Sequence, residues 1–239
     1  MAVPNVVGVI VAAGTSRRMG VDKLITPLAG QPLLAHTLRA FEQCVYISRI
    51  VLVCTPSRED EFRHIARRYG IKKSITFVFG GKERHDSVWN GLLAAGESAE
   101  YLAVHDGARP LVTPFLIAKC IRAAKRFGGA CAAEPLTDTV HRVDGEQLLV
   151  ETIERKGAWR MQTPQVFLRN SLFEAYLQLM REGWSTTDEA SILVRFGKRV
   201  VIEESMDWNF KITVPQDLVL AEAVLAYRQG KSLKWKRRY

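Results

Sequence analysis

Short apolar runs alternate with amphipathic segments along most of the chain. Runs rich in valine and isoleucine predict buried strands, and segments with apolar residues at three- and four-residue spacing predict helices. Strands are predicted at 6–12, 49–55, 75–79, 101–105 and 129–134, and helices at 32–43, 57–69, 87–95 and 114–127. This alternation predicts an α/β fold, with a Rossmann-like, mostly parallel sheet covered by helices on both faces.

The pattern changes after Pro135. Two short strands, at 139–143 and 148–152, flank the dipeptide Asp144-Gly145, which is typical of a β-hairpin turn. We expect a hairpin arm at about 136–158 that protrudes from the sheet. Further helices are predicted at 171–181, 187–196 and 215–228, and further strands at 199–203 and 209–213.

Length and composition favour one globular unit. The chain has 239 residues, of which 47% are hydrophobic, and no linker rich in proline, glycine and serine divides it. We therefore expect a single domain over residues 1–230, followed by a basic tail at 231–239. The apolar runs are far shorter than the roughly 20 residues of a membrane span. The first apolar run, at 6–13, lacks the preceding basic residues that are typical of a signal peptide. These features predict a cytoplasmic protein without a membrane partner.

The charge of the chain indicates an anionic partner. The formal net charge is +9, which suits either nucleic acid or small phosphates. A nucleic-acid surface would need a basic stripe interleaved with aromatic side chains, whereas the lysines and arginines are scattered except in the tail. Small phosphates are therefore the favoured ligands, and no nucleic-acid partner is expected.

The loop after the first predicted strand is a candidate phosphate site. Its small residues, among them Ala13 and Gly14, let backbone N–H groups approach a phosphate closely. Arg18 and Lys23 can neutralise the charge of that phosphate. The loop matches neither the P-loop pattern nor the dinucleotide-binding glycine pattern. Taken alone, its composition is equally typical of a structural turn.

The turn from Gly80 to Ser87 is a second candidate. It lies between a predicted strand and a predicted helix, where ligands of open α/β sheets bind. A glycine turn followed by a helix capped by Asp86 or Ser87 would explain the same residues without any ligand.

A third candidate, the sequence from His105 to Pro110, directly follows a predicted strand. Asp106 at the carboxyl end of that strand could hold Mg²⁺ against a triphosphate, and Arg109 could bind an anion. A turn capped by Asp106 is the structural alternative. Strand alternation directs His105 to the other side of the sheet, which favours a packing role.

These clusters belong to a longer ordered set of motifs. The set comprises Ala-Ala-Gly-x-x-x-Arg-Met-Gly from Ala12, then Lys23, Gly-Gly-x-x-Arg-x-Asp-Ser-Val from Gly80, His-Asp-Gly-Ala-Arg-Pro from His105, Gln-Thr-Pro-Gln from Gln162, Thr-Asp-Glu-Ala-Ser from Thr187 and Asn-Phe-Lys-Ile-Thr from Asn209. Over residues 6–225 the chain resembles the 2-C-methyl-D-erythritol 4-phosphate cytidylyltransferases of the non-mevalonate route to isoprenoids. It departs from commoner family members at Lys82, where an acidic residue often lies beside the cytosine.

The resemblance implies transfer of CMP from CTP to methylerythritol phosphate, with Mg²⁺ as the divalent cation. It implies that Asp106 holds Mg²⁺ and that the catalytic groups are Arg18, Lys23, Arg155 and Lys211. The implied CTP-binding residues are Ala13, Gly14, Gly81, Ser87 and Asp106. The implied acceptor-binding residues are Asp106, Arg109, Thr139, Arg155, Thr163, Thr187 and Lys211.

The resemblance also implies a homodimer in which the hairpin arm is exchanged. Thr139 and Arg155 would then reach the acceptor bound by the neighbouring subunit. A ribitol-5-phosphate cytidylyltransferase is the closest alternative, because that family shares the fold and the CTP loops. The sequence Thr187-Asp188-Glu189-Ala190-Ser191 argues against it, since ribitol enzymes more often have Asp-Ser-Cys there.

Overall fold

The computed structural model describes residues 5–14, 19–205 and 208–230. The strands are β1 (Val6–Val11), β2 (Pro27–Leu28), β3 (Gln31–Pro32), β4 (Ile47–Cys54), β5 (Ile75–Phe79), β6 (Tyr101–Asp106), β7 (Gly129–Pro135), β8 (Val140–Val143), β9 (Leu149–Ile153), β10 (Trp159–Leu168) and β11 (Val201–Glu204). The helices are α1 (Leu33–Gln43), α2 (Glu59–Arg68), α3 (Arg84–Ala95), α4 (Pro114–Phe127), α5 (Arg169–Glu182), α6 (Glu189–Arg195) and α7 (Pro215–Arg228).

Seven strands form the main sheet in the order β11-β7-β10-β6-β1-β4-β5. Strand β10 runs antiparallel to β6 and β7, and the other neighbouring pairs are parallel. Buried strand residues alternate between two apolar cores, one against α1, α2, α4 and α7 and the other against α3, α5 and α6. The predicted α/β class, with a mostly parallel sheet between two helical layers, is confirmed.

Strand β10 was missed by the sequence pattern. Pro164 lies in its middle, and proline is normally excluded from a central strand because it cannot donate a ladder hydrogen bond. The pairing with β7 shifts register between Met161 and Gln165, and this irregularity accommodates the proline. The sheet therefore contains a central antiparallel strand that the apolar pattern does not reveal.

The strand predicted at 209–213 is wrong. Residues 208–214, which we call the crossing segment, form no strand and pass across the carboxyl end of β6. The N–H of Ile212 donates to the carbonyl of Ala108 at 2.8 Å, and Arg109 donates to the carbonyl of Asn209 at 2.9 Å. The backbone is thus held by the loop after β6 rather than by a strand ladder.

Capping explains why helices α3 and α6 start at other residues than predicted. Helix α3 begins at Arg84, three residues early, because Glu83 caps it and donates its own N–H to the Asp86 carboxylate at 2.9 Å. The structural alternative, a helix capped by Asp86 or Ser87, is therefore wrong in the position of its cap. Helix α6 begins at Glu189, two residues later than predicted, because Asp188 caps its first turn.

Strands β8 and β9 pair with each other in a separate two-stranded sheet. The Asp144 carboxylate accepts hydrogen bonds from the N–H groups of Glu146 and Leu148, which makes the connection a longer loop than the predicted Asp-Gly turn. Most residues of the arm, 136–158, are exposed. Over the described residues, no helix combines the length and the apolar character of a membrane span. The basic tail at 231–239 lies outside the described residues.

Candidate active site

A cleft of about 690 Å³ lies outside the carboxyl ends of β1 and β6. Ligands of open α/β sheets bind at this edge, because the loops that follow adjacent parallel strands meet there. The cleft is lined by the loops after β1, β5 and β6 and by the crossing segment. Of the residues predicted from the sequence, it brings together Ala13, Gly14, Lys23, Gly81, Ser87, Asp106 and Lys211.

The loop after β1 forms one wall of the cleft. The N–H of Ala12 donates to the carbonyl of Val53 at 2.7 Å, which fixes the start of the loop against β4. The Lys23 ammonium donates to the carbonyl of Ile212 at 3.0 Å, so this wall is linked to the crossing segment. Arg18, the other predicted cation of the loop, lies outside the described residues.

The glycine turn after β5 packs directly against the first loop. A Cβ atom on Gly80 would lie 2.4 Å from the Cβ of Ala13 and 2.8 Å from the Oγ of Ser87. Any larger residue would therefore push the two loops apart. The N–H of Gly81 donates to Ser87 Oγ at 3.1 Å, and that hydroxyl donates to the carbonyl of Glu83 at 3.1 Å. Ser87 thus ties the turn to the first turn of α3.

Asp106 lies at the centre of a cluster of cations. Its carboxylate oxygens are 3.0 Å from Lys211 Nζ, 3.3 Å from Arg84 Nε and 3.5 Å from Arg109 Nε. Burial by itself would raise the pKa of Asp106, but the charges of Lys211, Arg84 and Arg109 outweigh it and hold the pKa well below its ordinary value. Asp106 is therefore ionised at any physiological pH.

Arg84 is a cleft residue that the sequence analysis did not select. It forms a bidentate ion pair with Glu189, with Nη1–Oε1 2.7 Å and Nη2–Oε2 3.1 Å. Burial alone would lower the pKa of Arg84, but the charges of Glu189 and Asp106 raise it. Both residues belong to motifs quoted above, yet they are 105 positions apart, and no spacing rule predicts their contact.

His105 lies beneath Asp106 and packs in the interior. Its ring is fully buried and lies 5.2 Å from the ring of Phe41, which confirms the predicted packing role. Burial lowers the pKa of His105 to about 3, despite the opposing charge of Asp106, so the ring is neutral. His105 Nδ1 is 2.9 Å from the hydroxyl oxygen of Thr163, which accepts the N–H of Asp106 at 3.0 Å.

The remaining predicted residues do not line the cleft. Arg109 is mostly buried and links Asp106 to the crossing segment, and Thr163 is buried under the backbone of Asp106. Thr187 is exposed just before α6. Thr139 and Arg155 are exposed at the base of the arm, where Arg155 donates to the carbonyl of Thr137 at 2.8 Å.

Of the two carboxylate residues that line the described cleft, Asp106 is the candidate metal ligand, because Glu83 caps helix α3. Among the described residues, no group of three or more His, Cys, Asp or Glu side chains is arranged to bind a metal. Asp106 fits the other common arrangement, in which Mg²⁺ is bound by one or two carboxylates together with the oxygens of a substrate phosphate. A metal at this site would therefore depend on a phosphate ligand.

Comparisons with known proteins agree on one family. The family model described as "IspD: 2-C-methyl-D-erythritol 4-phosphate cytidylyltransferase" matches residues 6–227. A protein of that name from Pelotomaculum thermopropionicum is 39% identical over 230 residues, covering 95% of this chain and 97% of its own length. Another from Geobacillus thermodenitrificans is 40% identical over 227 residues, covering 94% of this chain and 98% of its own length.

Solved structures show the same relationship. The 2-C-methyl-D-erythritol 4-phosphate cytidylyltransferase of Thermus thermophilus superimposes with a TM-score of 0.75 at 32% identity, covering 94% of this chain and 98% of that chain. The 4-diphosphocytidyl-2C-methyl-D-erythritol synthase of Anaerococcus prevotii superimposes with a TM-score of 0.82 at 26% identity, covering 93% and 96%.

Proposed function

The chain belongs to the 2-C-methyl-D-erythritol 4-phosphate cytidylyltransferase family, and from that premise we propose how its cleft performs the reaction. The enzyme transfers CMP from CTP to 2-C-methyl-D-erythritol 4-phosphate, giving 4-diphosphocytidyl-2-C-methyl-D-erythritol and pyrophosphate, in isoprenoid precursor biosynthesis. The observation that carries the proposal is the convergence of two loop walls, Lys23, Lys211 and Asp106 on one cleft.

The reaction is an in-line displacement at phosphorus. An oxygen of the acceptor phosphate forms a bond to the α-phosphorus of CTP, while the bond from that phosphorus to the bridging oxygen of pyrophosphate breaks. The acceptor phosphate is already ionised at neutral pH, so it needs no strong general base. Positioning and charge neutralisation therefore carry the rate. This agrees with a cleft that is lined by lysines and with a His105 that is neutral and buried beneath it.

The loop after β1 and the glycine turn would bind CTP. Ala13 and Gly14 line the cleft, and their backbone N–H groups would donate to the triphosphate. Gly81 and Ser87 line the cleft on the side of the glycine turn. Lys23 lines the same cleft and would neutralise charge that develops on the leaving pyrophosphate. We assign Arg18 the same task on the basis of its motif, since it lies outside the described residues.

Asp106 would hold Mg²⁺ together with the phosphate oxygens of CTP. When bound, the ion supplies charge neutralisation and polarises the phosphoryl oxygens. Asp106 is suited to this because it is ionised and lines the cleft. Lys211, whose ammonium is 3.0 Å from the same carboxylate, would contact both the acceptor and the reacting phosphates.

The acceptor site would extend from Lys211 toward Arg109, Thr163 and Thr187. We propose that a second copy of the chain completes it by contributing Thr139 and Arg155 from its arm. The arm exposes a run of apolar residues, Leu148, Leu149 and Val150, between 60% and 71% accessible. Contiguous exposed apolar surface of this kind is typical of a protein interface, and it supports an exchanged arm in a homodimer.

Three broader properties complete the proposal. Residues 1–230 would form one catalytic domain, because the sheet and both helical layers draw on the whole of the described chain. The enzyme would act in the cytoplasm. Its partners would be small phosphates rather than nucleic acid, because the cations of the described cleft surround Asp106 instead of forming an exposed stripe.

A direct assay tests the reaction. Purified protein is incubated with CTP, Mg²⁺ and methylerythritol 4-phosphate, and pyrophosphate release is followed beside matched reactions that contain ribitol 5-phosphate or no acceptor. We expect release with methylerythritol 4-phosphate and near-background release in both controls. Faster release with ribitol 5-phosphate, or none with either acceptor, would overturn the assignment.

A further inference from the structure

Glu189, the first residue of α6, carries a fully buried carboxylate. Its Oε1 accepts hydrogen bonds from Arg84 Nη1 at 2.7 Å and from the Tyr176 hydroxyl at 3.1 Å. Its Oε2 accepts from Arg84 Nη2 at 3.1 Å. A charge in this position is costly to bury unless it is paired and hydrogen-bonded, and here it is both.

The partner of this carboxylate is at the cleft. Arg84 lines the cleft, and its Nε is 3.3 Å from Asp106 Oδ1. A guanidinium has five N–H groups in a rigid fork, and the contacts with Glu189 and Asp106 engage three nitrogens of that fork. The N–H groups outside these contacts can donate to a phosphate, while Glu189 fixes the plane of the fork.

The start of α6 is held without the Glu189 side chain. Gln165 Oε1 accepts the N–H groups of Glu189 and Ala190 at 3.1 and 3.0 Å. The Asp188 carboxylate accepts the N–H of Ser191 at 3.0 Å and caps the helix. These hydrogen bonds already hold the backbone at the start of α6, and replacing both partners of a buried ion pair by uncharged residues is often neutral for stability. The start of α6 therefore does not require the Glu189 charge.

We propose that Glu189 is a positioning residue. It holds the Arg84 guanidinium so that the guanidinium donates to the triphosphate and contacts Asp106 through Nε alone. This inference rests on the proposed function of the cleft. Without the Glu189 charge, Arg84 would turn onto the Asp106 carboxylate, the nearest remaining anion in the described cleft. That movement would remove the Arg84 donor from the triphosphate. It would also occupy the Asp106 carboxylate.

The test compares Glu189→Gln with Tyr176→Phe. Both changes remove a hydrogen bond at the same carboxylate position, but only the first removes its charge. Binding of CTP with Mg²⁺, measured by titration calorimetry without acceptor, should weaken roughly 10- to 100-fold in Glu189→Gln, the usual loss when a partner that orients a ligand residue is removed. Tyr176→Phe should stay within about twofold of wild type.

Steady-state kinetics distinguish loss of Arg84 positioning from disorder of helix α6. Thr187 lies just before α6, so disorder of that helix would raise the KM for the acceptor. Action through Arg84 instead raises the KM for CTP and leaves the acceptor KM within about twofold. A Glu189→Gln protein that binds CTP like wild type, or that loses only acceptor affinity, would overturn the proposal.

A double-mutant cycle with Arg84→Met gives the decisive comparison. If Glu189 acts only through Arg84, adding Glu189→Gln to Arg84→Met should not weaken CTP binding further. A further loss of about tenfold would contradict the proposal. Arg84→Met alone leaves the Glu189 charge buried and unpaired, so either single variant can fail to fold. In that case the double variant, which contains no unpaired buried charge, is compared with wild type: CTP binding at least about tenfold weaker is expected, and wild-type binding would overturn the proposal. Wild-type turnover is measured in parallel, so that absence of the reaction is distinguished from failure of the inference.

Discussion

The cleft and the arm differ in burial and in the contacts that hold their residues. In the cleft, Asp106 is 7% exposed and contacts three cations that come from three separate segments of the chain. In the arm, β8 and β9 pair mainly with each other, and Leu149 is 71% exposed. From this contrast we propose that one chain supplies the nucleotide half of the site, which comprises Ala13, Gly14, Lys23, Gly81, Ser87 and Asp106. We propose that the acceptor half requires Thr139 and Arg155 from a second chain.

The energetics of the two regions support this division. The cleft residues are fixed by long-range hydrogen bonds within the core of the sheet, such as the contact of Thr163 with the N–H of Asp106. An isolated two-stranded hairpin, by comparison, is marginally stable in water. An arm with an exposed apolar edge gains stability when a partner covers that edge. We therefore expect the two regions to respond differently to mutation.

The largest effect is expected in the cleft, from Lys23→Ala. Removing one cation aimed at developing charge should lower turnover about 100- to 1,000-fold, by analogy with oxyanion-hole donors. Steady-state pyrophosphate release measures the change. Lys72→Ala, which removes an exposed lysine that does not line the cleft, is the matched control and should leave turnover unchanged. Near-normal turnover in a folded Lys23→Ala protein would exclude the assigned role.

A smaller effect is expected in the arm, from Arg155→Ala. Loss of a charged hydrogen bond to the acceptor phosphate should lower kcat/KM for the acceptor roughly 10- to 100-fold, the equivalent of about 1.5–3 kcal/mol. Affinity for CTP should not change, because the nucleotide half does not contain Arg155.

The arm itself supplies the control for that prediction. Arg142 lies on β8 and pairs with Glu151 at 3.2 Å on the surface, where both side chains are more than half exposed. Arg142→Ala should therefore have normal kinetics. Equal losses in the two variants would indicate a general effect of arm charge instead of acceptor binding.

The smallest effects come from a pair of glycine substitutions. Gly80→Ala places a Cβ 2.4 Å from that of Ala13 and should destabilise the protein by about 1–3 kcal/mol, with a raised KM for CTP. Gly145→Ala, in the arm loop, meets nothing within 4 Å among the described residues and should change stability by less than about 0.5 kcal/mol. Thermal unfolding of both variants checks the difference, and equal destabilisation would mean that the arm is as tightly packed as the cleft.

The sequence predicts best those features that depend on local patterns. Strand β5, helix α4 and helix α7 have the predicted bounds, because apolar periodicity and flanking proline or glycine define them locally. Strand β10 was missed since Pro164 interrupts its pattern. The crossing segment was misassigned because its alternating residues, as at Ile212, are held by a loop rather than by a strand.

The site was predictable to a similar extent. Ala13, Gly14 and Asp106 follow strand ends, and the topology of a parallel sheet brings such positions to one edge. The pairing of Arg84 with Glu189 depends instead on how α3 and α6 pack, and no local rule encodes that packing. The proposed contact of the arm with a neighbouring subunit involves a second chain, so the roles of Thr139 and Arg155 stay predictions that need solution experiments.

Mixing two impaired variants, assayed at a subsaturating concentration of acceptor, tests the central division most directly. Lys23→Ala chains lack the nucleotide half and Arg155→Ala chains lack the acceptor contribution of the arm. In a mixed dimer with exchanged arms, the cleft of the Arg155→Ala chain receives Arg155 from the Lys23→Ala chain and is intact. After dissociation and random reassembly, the account predicts recovery of about 25% of the wild-type rate, because half the dimers are mixed and each contains one intact site. A mixture no more active than its separate components would contradict a site shared between two chains.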